Sequence, residues 1–199
     1  MKKEKIKRKA KIIRKTKETD IKLEFDLDGR GIANIKTSIP FFDHVLESFT
    51  RHGSFDMKLK ASGDLNVGCH HLVEDAGICL GKAIFKCLKN KSGIKRFGYI
   101  LLPMDDAEVS VSIDVGGRAY LRYNVDIEYE KINGFETQIV EDFFRALVSN
   151  SFINLHINKN TGLDSHHIIE AIFKAFGIVL HDASRITDIG SIPSTKGLI

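Results

Sequence analysis

The pattern His-His-x-x-Glu occurs twice, as His70-His71-Leu72-Val73-Glu74 and as His166-His167-Ile168-Ile169-Glu170, each time opening an apolar segment of helical period. Residues four apart share a helix face, so His70 lies over Glu74 and His166 over Glu170, and each pair offers one imidazole and one carboxylate to a cation. Adjacent helical residues diverge by about 100°, which turns His71 and His167 away from their neighbours. The economical arrangement is two ions, each built from parts of both repeats or of different subunits. Imidazole with carboxylate suits manganese, iron, cobalt, nickel or zinc, and an octahedral shell with room for substrate favours manganese. In the His-Glu-x-x-His motif of zinc proteases the enclosed glutamate acts as base; here the carboxylate closes the motif and reads as a ligand. As metal ligands His52, His156 and His181 taken singly carry no such signal, and Cys69, beside His70, reads as an inert thiol.

A second set of residues suits a phosphate. Arg96 in Ile94-Lys95-Arg96-Phe97-Gly98, Arg118 after a glycine turn, and the tail Pro193-Ser194-Thr195-Lys196-Gly197 combine guanidinium forks, small hydroxyls and a lysine beside glycine. Such groups make charge-assisted bonds to phosphoryl oxygens. Together with a metal site they imply a small phosphorylated substrate.

The elements that must position these groups repeat. Ile21, Leu23, Phe25 and Leu27 alternate as in a strand with one buried face, Asp28-Gly29-Arg30-Gly31 supplies a turn, and a returning strand through Ile35, Thr37 and Ile39 completes an expected hairpin. Pro40 then starts a helix through His44, Leu46 and Phe49, Phe55 to Ala61 alternate again, and a helix runs from about His71 to Leu88. The second half repeats the order: a strand through Val109 to Val115, a turn at Gly116-Gly117-Arg118, a strand through Leu121 to Val125, a helix from about Glu136 to Ser149, a strand near Ile153 to Ile157, and a helix starting near Ser165. Phe25-Asp26-Leu27-Asp28-Gly29-Arg30 falls on Ile113-Asp114-Val115-Gly116-Gly117-Arg118, a duplication of roughly 90 residues. The same register sets Glu18 opposite Asp106 and His44 opposite Asp142, so packing about a pseudo-twofold axis brings His44 and Asp142 toward the doubled motif as further ligands. The expected division is a basic N-terminus over 1–9, a first half over 10–95 and a second over 96–199, forming one α+β domain with helices on one face of each sheet.

At 199 residues and 43% hydrophobic content the chain can bury a sizeable core. No apolar run approaches the roughly 18 residues of a membrane span, and the charged N-terminus does not read as a secretory signal. Three cysteines without CxxC spacing point to free thiols and a cytoplasmic setting. The net charge of +4 misleads, because residues 1–17 hold ten Lys or Arg and one Glu, leaving 20 basic against 25 acidic residues elsewhere. That leader has no interleaved aromatics on which bases could stack, and it reads as a solvated terminus feeding an exposed strand.

The chain resembles the imidazoleglycerol-phosphate dehydratases of histidine biosynthesis from about Arg14 to Leu198. The likeness rests on Lys15-Thr16-Lys17-Glu18-Thr19, Pro40-Phe41-Phe42-Asp43-His44, His70-His71-Leu72-Val73-Glu74-Asp75, Gly117-Arg118, Ser165-His166-His167-Ile168-Ile169-Glu170-Ala171 and Pro193-Ser194-Thr195-Lys196-Gly197. It implies a duplicated α+β fold of the ribosomal-protein-S5 domain 2 type and a homo-oligomeric shell of 24 subunits. Two Mn²⁺ per subunit are implied between subunits, at His44, His70, His71, Glu74, His166, His167 and Glu170. The implied reaction removes water from imidazoleglycerol phosphate to give imidazoleacetol phosphate. Glu18 falls on a substrate-contacting acid or base, with His71 and His167 also catalytic. Arg96, Arg118, Ser194, Thr195 and Lys196 fall on phosphate-holding positions, and His52 and Lys174 on residues lining the substrate. The departing hydrogen is not acidified by a carbonyl, so the imidazole ring must carry the electrons, which a Lewis acid at ring nitrogen favours.

Some positions depart from the family pattern. Asn66-Val67-Gly68-Cys69 replaces a stretch usually written with His and two Asp, Leu72 stands for Thr, and Asp142 occupies a position that is a metal-binding histidine in some members. Lost carboxylates before His70 weaken the hydrogen bonding that orients the paired histidines. Two other functions fit parts of the pattern: a dinuclear metal-dependent phosphate-ester hydrolase, using the same ions to activate water, and a nucleic-acid binder using the basic leader.

Overall fold

In the computed structural model, which describes residues 8–128, 130–187 and 193–194, the duplication is built into the sheets. The first half runs β1 (Lys9–Lys15), β2 (Thr19–Asp26), β3 (Ala33–Lys36), α1 (Pro40–His52), β4 (Asp56–Gly63) and α2 (His70–Leu88). The second runs β5 (Phe97–Met104), β6 (Ala107–Asp114), β7 (Tyr120–Asn124), a small hairpin of β8 (Lys131–Ile132) and β9 (Phe135–Glu136), α3 (Ile139–Ser151), β10 (Asn154–Thr161) and α4 (Ser165–Ser184). Strand order is β1-β2-β4-β3 in one sheet and β5-β6-β10-β7 in the other, the same order after duplication. Among the described residues, only the β8–β9 hairpin lacks a counterpart in the first half. This is the expected α+β class with two mixed sheets.

The pairing corrects one expectation. The segments 21–27 and 35–39 do not form a hairpin: β2 lies antiparallel between β1 and β4, and β3 crosses over to pair in parallel with β4. The hairpins are β1–β2 and β5–β6, whose first strands run along the sheet edges. In the second half β7 likewise pairs in parallel with β10 rather than with β6.

The helices of the two halves pack on each other, α1 against α4 and α2 against α3, while α2 also covers β1 and β2 and α4 covers β5 and β6. The core joins both halves through aromatic side chains such as Phe49 and Phe176, stacked at 5.3 Å and both fully buried. Each such side chain contributes about 1.5–3 kcal/mol relative to its exposed state. Close approach at both crossings depends on glycine. A Cβ on Gly177 of α4 would stand 2.5 Å from the Phe49 carbonyl oxygen of α1, and one on Gly81 of α2 would stand 2.4 Å from that of Leu147 in α3. No helix among the described residues is long and apolar enough to cross a membrane.

Candidate metal centre and catalytic site

Four helices present their N-terminal turns at one end of the molecule, and the starts of α1 and α4 have clear local causes. Pro40 occupies the first turn of α1, where its missing N–H costs nothing. Asp43 reaches back to accept from the Thr37 amide at 2.9 Å and the Thr37 hydroxyl at 2.6 Å. Phe41 and Phe42 turn inward, leaving His44 facing out. Asp164 caps α4 by accepting from the amides of His166 and His167. The α2 N-cap residue, Cys69, makes no side-chain cap, so α2 lacks the capping carboxylate that Asp164 gives α4.

His44, His166 and Glu170 converge. Nε2 of His44 lies 3.1 Å and Nε2 of His166 lies 3.2 Å from the same Oε2 of Glu170, and one donor atom from each of the three residues falls within 4.8 Å of the others. The other oxygen, Oε1, is occupied by Lys174 Nζ at 3.0 Å and the Ser48 hydroxyl at 3.2 Å. Burial pushes the Glu170 carboxyl up, but the bonds from Lys174 and His44 and their charges outweigh it, drawing it down to about 2. Phe41 sets its ring edge against His166 at 5.1 Å, and a recess of about 230 Å³ opens here between His44, His166, Asn133 and Phe135.

The register mates lie near one another without the same convergence: His70 faces Glu74 through Nε2 at 3.6 Å and Asp142 through the opposite ring nitrogen, Nδ1, at 3.5 Å. Thus His44 from the first half meets His166 and Glu170 from the second, and Asp142 from the second meets His70 and Glu74 from the first. Each of these groups draws on both repeats.

His71 and His167 point elsewhere, and each is held by acidic residues near a hairpin turn. Nδ1 of His71 lies 3.0 Å from Asp64, with one donor oxygen of Glu18 within 4.8 Å of the pair. The bond to Asp64 raises the His71 pKa above its ordinary value. Nδ1 of His167 lies 2.7 Å from Asp106 in the β5–β6 turn, and Nε2 lies 3.6 Å from Asp105. Asp106, also receiving the amides of Leu163 and Asp164, has its carboxyl held far below the usual carboxylate range while His167 is raised. Glu18 sits in the equivalent β1–β2 turn. Thr16 accepts there from the Glu18 and Thr19 amides, and buried Asp75 of α2 takes the Thr19 hydroxyl at 2.5 Å and Arg14 at 2.8 Å. Asp64 is tied in through its amide, which donates to the Glu18 carbonyl at 3.1 Å.

The phosphate-type residues lie elsewhere. Arg96, just before β5, is gripped by Asp114 through Nε at 2.7 Å and Nη2 at 3.1 Å and donates to the Pro193 carbonyl at 2.7 Å, which brings Ser194 alongside. Arg118 is exposed in the bend after β6, at the same end of the sheet. Strands of eight residues span roughly 25 Å, so this end stands far from the Asp106 turn within one chain. Lys174 joins the Glu170 cluster, whereas His52 is exposed in the last turn of α1. Thr195 and Lys196 lie outside the described residues. Asp64 and Ser48 were not singled out in the sequence, although Asp64 follows the alternating strand by one residue and precedes the doubled motif by six.

Residues 37–180 match the family model described as imidazoleglycerol-phosphate dehydratase. The chain is 55% identical over 192 residues to the imidazoleglycerol-phosphate dehydratase of Thermodesulfovibrio yellowstonii, covering 96% of this chain and 100% of that one. It is 50% identical over 193 residues to that of Caldanaerobacter subterraneus, covering 96% and 100%. Among solved structures it resembles the enzyme from Staphylococcus aureus, with TM-score 0.82 and 35% identity over 90% of this chain and 99% of that one. It also resembles the Pyrococcus furiosus enzyme in complex with (S)-C348, with TM-score 0.82 and 36% identity over 94% and 100%.

Proposed function

The chain belongs to the imidazoleglycerol-phosphate dehydratase family, hydro-lyases of histidine biosynthesis, and from that premise we propose a metal-dependent dehydration completed between subunits of a homo-oligomer. The observation that carries it is the meeting of His44, His166 and Glu170 around one carboxylate oxygen, with His70, Glu74 and Asp142 at the equivalent positions of the repeat. Imidazole nitrogen and carboxylate oxygen at this spacing fit a divalent cation such as Mn²⁺. His71 and His167 each have Nδ1 engaged by a carboxylate, an arrangement that fixes the tautomer and leaves Nε2 as the donor. Both turn away from the clusters of their own chain, so they suit the clusters of neighbouring copies.

When bound, the ions supply Lewis acidity toward the substrate's ring nitrogens. The chain's own residues do the rest. His71 and His167 orient the ring, and Glu18, held beside His71 by the Thr16 turn and Asp75, moves a proton at the substrate as acid or base. The hydroxyl leaves the carbon attached to the ring, the adjacent carbon loses its hydrogen as a proton, and the resulting enol becomes the ketone of imidazoleacetol phosphate. Arg96, Arg118, Ser194, Thr195 and Lys196 hold the phosphate, and that remote grip orients the ring. His52 and Lys174 line the substrate. One imidazole, three carbons and one phosphate cannot span from Arg96 to the clusters of the same chain, which supports a site shared between copies. A 24-subunit shell with two Mn²⁺ per subunit, in the cytoplasm, accords with this reading. Three free thiols, two of them buried, suit that compartment.

Incubating the purified protein with imidazoleglycerol phosphate and Mn²⁺ tests the proposal. Imidazoleacetol phosphate is the expected product. Its absence with metal demonstrably bound overturns the reading, and release of inorganic phosphate instead would restore the hydrolase.

A further inference from the structure

Between α2 and β5 the chain turns through Lys89-Asn90-Lys91-Ser92-Gly93, and Lys91 is only 4% exposed. Lysine is almost never buried to that degree unless it is paired. Its amide donates to the Leu88 carbonyl at 2.9 Å, and its backbone is left-handed, with φ 57°. Glycine or asparagine would suit that conformation better, so the turn itself does not account for a lysine. The ammonium makes no hydrogen bond or ion pair among the described residues. Burial draws its pKa below the ordinary lysine value. The charged groups that act on it are Asp114 at the end of β6, which favours the ammonium, and Arg96, which opposes it.

Arg96 and Asp114 form a closed pair. Nε and Nη2 of Arg96 reach the two carboxylate oxygens, and Nη1 donates to the Pro193 carbonyl. Among the described residues each Nη keeps a second N–H uncommitted. The pair is neutral as a unit, so it holds donors for an anion but exerts little net attraction on one. Lys91 makes two cations to one carboxylate, a surplus of positive charge where water scarcely reaches. A buried charge without a counter-ion is unfavourable for the fold alone, and an anion arriving at the Arg96 donors would supply one.

Resting on the reading of Arg96 as a phosphate-holding residue, we propose that Lys91 is a further specificity-determining residue for the dehydration. Its ammonium gives the Arg96–Asp114 site a net positive charge, and that charge selects a phosphate over a neutral hydroxyl at the same place.

The test compares the full-length assembled protein with Lys91→Met, which keeps the length of the side chain and removes the charge, and with Lys91→Arg, which keeps the charge. Turnover of imidazoleglycerol phosphate, inhibition by inorganic phosphate, and thermal unfolding with and without inorganic phosphate are measured. Lys91→Met should raise KM and the phosphate inhibition constant about tenfold or more, with kcat changed far less, as when binding common to ground and transition state is removed. In phosphate-free buffer it should unfold no earlier than the original, because an unbalanced buried charge is gone. Lys91→Arg should bring both constants back toward the original values. Unchanged KM and phosphate inhibition in Lys91→Met, or a Lys91→Arg protein equally impaired, would overturn the inference and leave the dehydratase reading intact. So would a Lys91→Met protein that fails to fold or unfolds earlier without phosphate, since the turn would then need the ammonium for its own structure. Absence of dehydration, together with phosphate stabilisation that Lys91→Met abolishes, would overturn the dehydratase reading and uphold the charge-selected anion site.

Discussion

Glu18 owes its position to three hydroxyl and carboxyl groups rather than to any regular element. Thr16 closes the β1–β2 turn, and Thr19 is held by Asp75 of α2, so the carboxylate stands next to His71 and Asp64. Glu18→Gln keeps the shape and removes the proton-transfer group. Turnover should fall by about 10²–10⁴-fold with metal content unchanged in elemental analysis, and normal turnover would remove Glu18 from the chemistry. Asp106 makes a second prediction. Its hydrogen bond raises the His167 pKa, and a protonated imidazole cannot bind a cation, so metal is lost as pH falls through that raised value. At alkaline pH, where the ring is neutral in either protein, Asp106→Asn should bind metal about 10–100-fold more weakly, because the ring loses its orienting partner. Unchanged affinity there in a metal-binding titration would separate Asp106 from His167. The ligand sets were legible in the sequence because helical spacing fixes which side chains share a face. Asp64 and Ser48 were not, since their partners lie on other elements and only tertiary packing brings them in.

At the scale of elements, the helices carried clear signals and the sheets did not. Pro40, the apolar period and the glycines fixed α1, α2 and α4 within a few residues, and α3 began three residues later than its pattern suggested. Alternation identified β2 and β4, but alternation says which face is buried and not which strand is the neighbour. The tight Asp28–Gly31 turn therefore read as a hairpin, although its two flanks are separated in the sheet by β4. The edge strand β5 escaped notice because Phe97, Tyr99 and Leu101 are apolar yet exposed, which blurs its period. Helix separation is the property on which the clusters depend most. Gly177→Ala would press a methyl group on the Phe49 carbonyl, an overpacking cost of about 1–3 kcal/mol. Thermal unfolding should register that loss, and metal affinity should weaken as α1 and α4 part. A variant as stable as the original would show that the crossing can relax.

For the whole molecule, the decisive feature is that Arg96 and Arg118 stand at the opposite end of their sheet from the Asp106 turn that holds His167. If ions bridge copies through His71 and His167, chelator should loosen the assembly, and His71→Ala or His167→Ala should lower both metal occupancy and particle size. Light scattering with and without chelator measures this, and a particle of constant size after metal removal would rule out bridging. The crossed ownership of the clusters has a further implication for descent. A chain of half this length would carry one motif and one residue at the position of His44, but on helices that pack chiefly against those of the other half, α1 on α4 and α2 on α3. It could assemble either cluster only by embracing a twin. Fusing two such twins into one polypeptide freed each copy to change alone, and the carboxylate at position 142 opposite an imidazole at 44 is a divergence that no pair of identical halves could have recorded.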